Sequence, residues 1–356
     1  LMTLRLPSLC WRTKAMINTV YRLVAPRRFE IAFEDINLFG ENAIVRPTYL
    51  SICNADMRYY LGTRDAKVLA EKLPMALIHE GVGEVFLDPT GTFKTGDKVV
   101  MVPNAPVEKD EFIAENYLRS SKFCGSSMDG FLQEFVEISP KRLVKLPNDI
   151  DMTVAAFTEI VSVSVHAISR FDKIAHARRN TISVWGDGNL GYITSLFLKY
   201  HFPKSKIVVF GTSSDKLADF TFADETHLVN EVPDGFTTDH AFECVGGNGS
   251  PIAIEQIIGL IKPEGTISIL GVSEYPVPIN TRMILEKGLR VFGSSRSGVK
   301  DFAKTVDMYK KHPEIIDYLG NLINSVNVVR TTTDIKNAFE KDTQKSFGKT
   351  IMKWEE

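Results

Sequence analysis

Cysteine is scarce in this 356-residue chain: Cys10, Cys53, Cys124 and Cys244 stand far apart, with no Cys-x-x-Cys pair. That excludes a disulfide framework and points to a reducing compartment, the cytoplasm. No apolar run approaches the ~20 residues that span a bilayer, so no membrane partner is expected. Neither sign of charge dominates. The 42 Lys and Arg against 44 Asp and Glu leave a net charge of −2, which offers no electrostatic footprint for nucleic acid. Internal repeats and low-complexity tracts are also missing, which excludes solenoids and linkers. The remainder, 44% hydrophobic and 24% charged, is ordinary for a soluble globular protein. Its length suits two domains or one two-lobed enzyme.

Leu1 to Ala15 carry Arg5, Arg12 and Lys14, no acid, and no apolar stretch of the kind a secretory signal needs. We read residues 1–15 as a disordered extension, with Met16 as the natural start. From Ile17 to about residue 150 the chain shows short apolar runs punctuated by Gly, Pro and Asp, among them Ala43–Leu50, Gly83–Leu87 and Asp97–Pro103. This pattern predicts a β-rich, barrel-like lobe. Residues 104–124 are polar and without clear period, and read as a surface lobe or loop. After about 164 the pattern changes to alternating strands and helices. Strands are expected at 181–186, 206–211, 227–230, 239–245, 265–271 and 290–295, with helices such as Leu190–Tyr200 and Ile252–Ile261 between them. That is an α/β, doubly wound parallel sheet of the Rossmann kind. The tail after 300 carries helices Asp301–Lys311 and Asp334–Glu340 and a last strand, Lys349–Trp354, expected to return to the first lobe.

Two motifs carry chemistry. Cys53 follows a strand-like run, His79 and Glu80 sit in Ile78-His79-Glu80-Gly81-Val82-Gly83, and Glu159 opens the helix-like Thr158-Glu159-Ile160-Val161-Ser162. A thiolate, an imidazole and carboxylates form a borderline-soft donor set that favours Zn²⁺ over Mg²⁺ or Ca²⁺. A lone cysteine is more often a small core residue, but the four together read as a catalytic zinc site, with Asp56 orienting a ligand. The second motif is Gly186-Asp187-Gly188-Asn189-Leu190-Gly191, placed after a strand and before a helix, as a dinucleotide loop requires. Gly186 makes the turn, Gly188 admits the pyrophosphate, and Gly191 lets helix and strand pack closely. The next strand ends at Gly211-Thr212-Ser213-Ser214-Asp215-Lys216, without the acid that usually takes the ribose 2′-hydroxyl of NAD. Thr212, Ser213, Ser214 and Lys216 could instead hold the 2′-phosphate of NADP, with Asp215 as counter-evidence.

This order of features resembles the zinc-dependent medium-chain dehydrogenases/reductases over residues 16–356. Thr158 to Ala167 and Arg58-Tyr59-Tyr60 resemble the polyol branch. Cys53 to Tyr60 and Pro74 to Glu80 are more similar still to the ribulose-5-phosphate reductases of bacterial teichoic acid and capsule synthesis. The resemblance implies a GroES-like catalytic domain at 16–163 and 299–356 and a Rossmann domain at 164–298. It implies zinc ligands Cys53, His79, Glu80 and Glu159, and an NADPH-dependent reduction of a phosphorylated ketopentose to ribitol 5-phosphate. It further implies a homodimer and association with a ribitol-phosphate cytidylyltransferase. Lys349 matches a position near the cofactor; Arg58 and Arg296 are the candidates for holding the substrate phosphate. Two departures matter. Only Cys124 remains of the four cysteines with which many relatives bind a structural zinc, so a second zinc is not expected. Ala55 replaces the hydroxyl residue that commonly passes the proton, which leaves Glu80 through a water, or Tyr59, as proton source. The rivals are an NAD-linked polyol dehydrogenase and a non-catalytic NADP-binding sensor, which Ala55 favours and the intact ligand set opposes.

Overall fold

The computed structural model describes residues 15–355; the extension expected at 1–15 lies, but for Ala15, outside the described residues. Six strands form one parallel sheet in the order Glu225–Leu228, Lys206–Gly211, Thr181–Trp185, Thr238–Glu243, Ile261–Ile269, Arg290–Gly293. Numbered along the chain, this is order 3-2-1-4-5-6, the doubly wound dinucleotide-binding arrangement. The order reverses between Thr181–Trp185 and Thr238–Glu243, and ligands of such sheets bind beyond the strand ends at that point. Helices Asn189–His201 and Ser250–Leu260 supply crossovers.

The first lobe is a seven-stranded sheet flanked by a three-stranded one. Its central strands, Ala43–Ser51 and Glu80–Leu87, pair antiparallel. The tail closes the lobe. Strand Lys349–Trp354 pairs antiparallel with Ala43–Ser51 and parallel with Ile323–Val329, so the tail returns to the first lobe. No described helix is long and apolar enough to cross a membrane.

Three expectations shift. The third parallel strand runs over Glu225–Leu228 rather than 227–230. The fifth parallel strand begins at Ile261 rather than 265, because Pro263 and Gly265 break the sequence pattern while the ladder continues through a register shift. Residues 104–124 are not simple loop: Asn104–Ala105 pairs with Lys122–Phe123, and Glu115–Tyr117 makes a 3₁₀ turn.

The two lobes share one core. Val82, Val100 and Val102 of the first lobe pack in the same buried cluster as Val165, Ile168, Phe197 and Phe242. Helix Thr158–Ile174 lies in this seam and presents Glu159 at its first turn. The opposite face of the parallel sheet is built around Trp185, fully buried, stacked on Phe210 at 4.5 Å, and donating its indole N–H to Gln256 Oε1 at 2.7 Å. Trp185→Ala should lower unfolding free energy by about 3–5 kcal/mol. Trp185→Phe, which keeps the stack but orphans Gln256, should cost about 1–3 kcal/mol. Urea titration of both variants checks this; equal losses would mean that the indole's bulk does not organise this layer.

Candidate active site

Cys53 is the N-cap of helix Asn54–Tyr60, delivered there by strand Ala43–Ser51. Asp56, at the helix's third position and 1% exposed, accepts the Cys53 backbone N–H at 3.0 Å through one oxygen. Its other oxygen accepts the Ile78 N–H at 3.0 Å and lies 3.5 Å from His79 Nδ1. One buried carboxylate thus fixes both the thiol and the imidazole. Ile78 sits at φ 73°, a left-handed backbone that a β-branched residue adopts only under constraint. The constraint is the segment opposite: Gly130 N–H donates to Ala76 and Phe131 N–H to Ile78, each at 2.7 Å. A side chain on Gly130 would come within 2.2 Å of the Ile78 carbonyl. This strained bend turns His79 and Glu80 into the site.

Donor atoms of Cys53, His79 and Glu80 lie within 4.8 Å of one another. Glu80 is fully buried and faces Lys349, 2% exposed. Lys349 Nζ donates to Oε1 at 2.9 Å and sits 2.7 Å from Oε2, which receives no well-directed hydrogen bond and keeps a free lone pair. Burial opposes the Lys349 charge, but Glu80 and Cys53 together outweigh it and raise the ammonium's pKa. Lys349, expected at the cofactor, therefore points its ammonium at a metal-site carboxylate. Burial likewise opposes charge on His79, while Asp56 and Cys53 together hold its pKa above the ordinary value. Thiolate, imidazole and a carboxylate with a free lone pair fit zinc with one coordination position left open. Glu159 stands outside this trio. Burial, with Glu80 nearby, pushes its carboxyl up to about 7 against the opposing pull of His79.

Phe123 touches two residues of the predicted site: its ring centroid is 5.5 Å from that of His79, and the Arg296 guanidinium lies over it at 4.6 Å. Arg296 adopts φ 58° and makes no ion pair among the described residues. Burial lowers its pKa, while Glu159 and Tyr59 act in the opposite direction. Tyr59 is buried. Arg58, expected to face the metal with Arg296, is instead bound to Glu274 of the other lobe at 2.7 Å. Arg64, absent from the expected set, stacks on Tyr59 at 4.9 Å and lies 3.8 Å from the same Glu274 oxygen. No sequence spacing links Glu274 to these arginines.

At the dinucleotide loop, Gly186 has φ 131°, and any side chain on Gly191 would come within 1.9 Å of the Gly186 carbonyl. A side chain on Gly188, the N-cap of helix Asn189–His201, would meet nothing within 4 Å, consistent with a surface open to a ligand. The Asn189 side chain is spent elsewhere: it exchanges two hydrogen bonds with the Gly348 backbone, at 2.9 and 3.0 Å. Leu190, beside it, is half-buried. Asp187, which sequence reasoning passed over, accepts the backbone N–H groups of Thr212 and Ser213 at 2.6 and 2.9 Å. It thereby fixes the turn after Gly211. The Ser213 hydroxyl caps helix Ser214–Leu217; Ser214 is exposed, and Lys216 half-exposed.

Comparison with known proteins follows this geometry. The alcohol dehydrogenase GroES-like domain family matches residues 40–148, and the zinc-binding dehydrogenase family matches 203–311. A ribulose-5-phosphate reductase of Bacillus spizizenii is 54% identical over 340 residues, covering 96% of this chain and 100% of the relative. Ribulose-5-phosphate reductase 1 of Staphylococcus aureus is 55% identical over 339 residues, covering 95% and 99%. The solved structure of S. aureus TarJ in complex with NADPH superposes with a TM-score of 0.87 at 50% identity, covering 96% of this chain and 100% of that one. The chain belongs to the zinc-binding medium-chain dehydrogenases/reductases and, within them, groups with the ribulose-5-phosphate reductases.

Proposed function

We propose that this protein is an NADPH-dependent zinc reductase that converts ribulose 5-phosphate to ribitol 5-phosphate, in the cytoplasm, for teichoic acid or capsule precursor synthesis. The observation that carries the reading is the Cys53–His79–Glu80 donor trio, with Phe123 in ring contact with His79 and under the Arg296 guanidinium, and with Arg64 stacked on Tyr59 of the helix that starts at Cys53. The trio suits a ketone oxygen and the guanidinium groups a phosphorylated chain. The similarity to ribulose-5-phosphate reductases over nearly the whole chain supports it. Zinc, held by Cys53, His79 and Glu80 with Glu159 as an exchangeable fourth ligand, would supply a Lewis acid for the carbonyl, and NADPH the hydride. The chain's own residues do the rest. Asp56 holds Cys53 and His79 in place, and Lys349 neutralises Glu80. Gly186, Gly188 and Gly191 shape the pyrophosphate seat, and Thr212, Ser213, Ser214 and Lys216 surround the 2′-phosphate seat. With Ala55 lacking a hydroxyl, the proton comes from Tyr59 or from Glu80 through a water. A homodimer fits the sheet edge: strand Arg290–Gly293 is terminal, and Leu285 beside it is 79% exposed. Association with a ribitol-phosphate cytidylyltransferase follows from the same reading, since ribitol 5-phosphate would be its substrate.

The decisive assay compares NADPH oxidation with ribulose 5-phosphate against unphosphorylated ribulose; equal rates on both would favour a general polyol dehydrogenase. Dialysed protein should carry about one zinc per chain. Cys53→Ala should lose metal and turnover together. Activity that survives complete metal removal would overturn this assignment.

NADPH should be preferred to NADH. Ser213→Asp keeps a helix cap but sets a carboxylate against the 2′-phosphate. It should weaken NADPH binding by at least about tenfold, the effect of ~1.4 kcal/mol, and shift preference towards NADH. Fluorescence titration of both coenzymes measures it; tighter NADH binding by the native protein would refute the assignment.

A further inference from the structure

Glu274 joins the two lobes in an unusual way. Its Oε2 alone serves two guanidinium groups, Arg58 Nη1 at 2.7 Å and Arg64 Nη1 at 3.8 Å. Arg58 lies on the helix that begins at Cys53, and Arg64 lies just beyond its end. Arg64 is fixed from below by Tyr59, whose ring its guanidinium overlies, and its Nε is buried with no hydrogen-bond partner. Two positive groups therefore share one negative charge and leave a donor unused. Arginine's fork suits an anion with several oxygens, and a single carboxylate oxygen is a poor match for two of them. Glu274 itself belongs to residues 270–280, a loop without regular structure between Ile261–Ile269 and Thr281–Glu286. Its neighbours Val272 and Tyr275 are 65% and 78% exposed, so little packing holds the loop where it is.

We infer that Arg58 and Arg64 together bind the phosphoryl group of the substrate, and that Glu274 is an internal competitor for the same pair. The inference rests on the phosphoketose reading above and deepens it. A phosphate dianion matches the charge of both guanidinium groups and has oxygens enough for Arg58 Nη1, Arg64 Nη1 and Arg64 Nε. Its arrival displaces Glu274 and releases the tie between the lobes. Arg64 thus sets specificity for a phosphorylated over a neutral ketose, with Tyr59 fixing its guanidinium by stacking.

The test uses the zinc-loaded enzyme with NADPH. Arg64→Ala should lower kcat/KM for ribulose 5-phosphate about ten- to a hundred-fold, mostly through KM, with a much smaller loss on ribulose. Arg64→Lys should recover part of it. Glu274→Gln should lower both the KM for ribulose 5-phosphate and the inhibition constant of inorganic phosphate, while the KM for NADPH stays within about twofold, under ~0.5 kcal/mol. Equal losses on both ketoses in Arg64→Ala would overturn the inference. So would a raised KM for ribulose 5-phosphate in Glu274→Gln, or an effect confined to NADPH. Each of these leaves the proposed reaction standing as long as the native enzyme still prefers the phosphorylated ketose; a native enzyme without that preference refutes the reaction itself.

Discussion

A buried ion pair, Glu80 with Lys349, is the constraint on which the rest of the structure depends. Both side chains are withdrawn from water, at 0% and 2% exposure. Neither charge is stable there alone: removing one partner of such a pair costs about 3–5 kcal/mol because the other is left uncompensated. The pair joins strand Glu80–Leu87 to the last strand of the chain, which crosses about 270 residues of sequence to reach it. The residue before Lys349 is Gly348, whose backbone is held by Asn189 at the start of the dinucleotide-loop helix. Nucleotide loop, returning tail and metal-site carboxylate are thus consecutive links. A protein that must bring a coenzyme and a metal into register gains from having both referenced to one short segment.

The same economy appears in the first half of the site. Asp56 satisfies two backbone N–H groups and approaches an imidazole, so one carboxylate fixes the position of two donors. The left-handed bend at Ile78 stores strain that the bonds from Gly130 and Phe131 counterbalance. Such strain is useful where a site needs its ligands at fixed separations. The thiol, imidazole and carboxylate donors lie within 4.8 Å of one another. Asp56 and the Ile78 bend reference them to the same backbone.

Much of this was legible in the sequence, for physical reasons. The parallel strands and their helices follow from hydrophobic period and turn residues, both local properties. So does the glycine loop, because close backbone approach demands particular residues at fixed spacing. Cys53, His79 and Glu80 were legible because metal ligation restricts residue type. What escaped was long-range pairing. Lys349 was placed at the cofactor, yet its charge is taken by Glu80, 269 positions away. Arg58 was read as a phosphate partner, and nothing local announced its pairing with Glu274, 216 positions on. Arg64 went unnoticed because an arginine in a polar turn looks like a solvated one; only stacking on Tyr59 distinguishes it. The early start of the fifth strand was hidden by Pro263 and Gly265, residues that the ladder accommodates through a register shift.

The 104–124 segment is anchored by hydrogen bonds from several parts of the chain. Glu115 receives both Arg142 Nη groups, at 2.6 and 2.9 Å, and also the Val299 N–H. Asn116 donates to the Ser295 carbonyl at 2.9 Å, and Ser162 meets Ser297 at 2.6 Å. These contacts bracket Arg296, whose left-handed backbone would otherwise relax. The neighbouring Phe123 pairs Asn104 across the short ribbon and contacts both the Arg296 guanidinium and the His79 ring. The segment therefore holds Phe123, and through it the His79 and Arg296 contacts, by a hydrogen-bond network whose members are distant in sequence. The placement of this side of the site is thus a tertiary property that no local pattern announces.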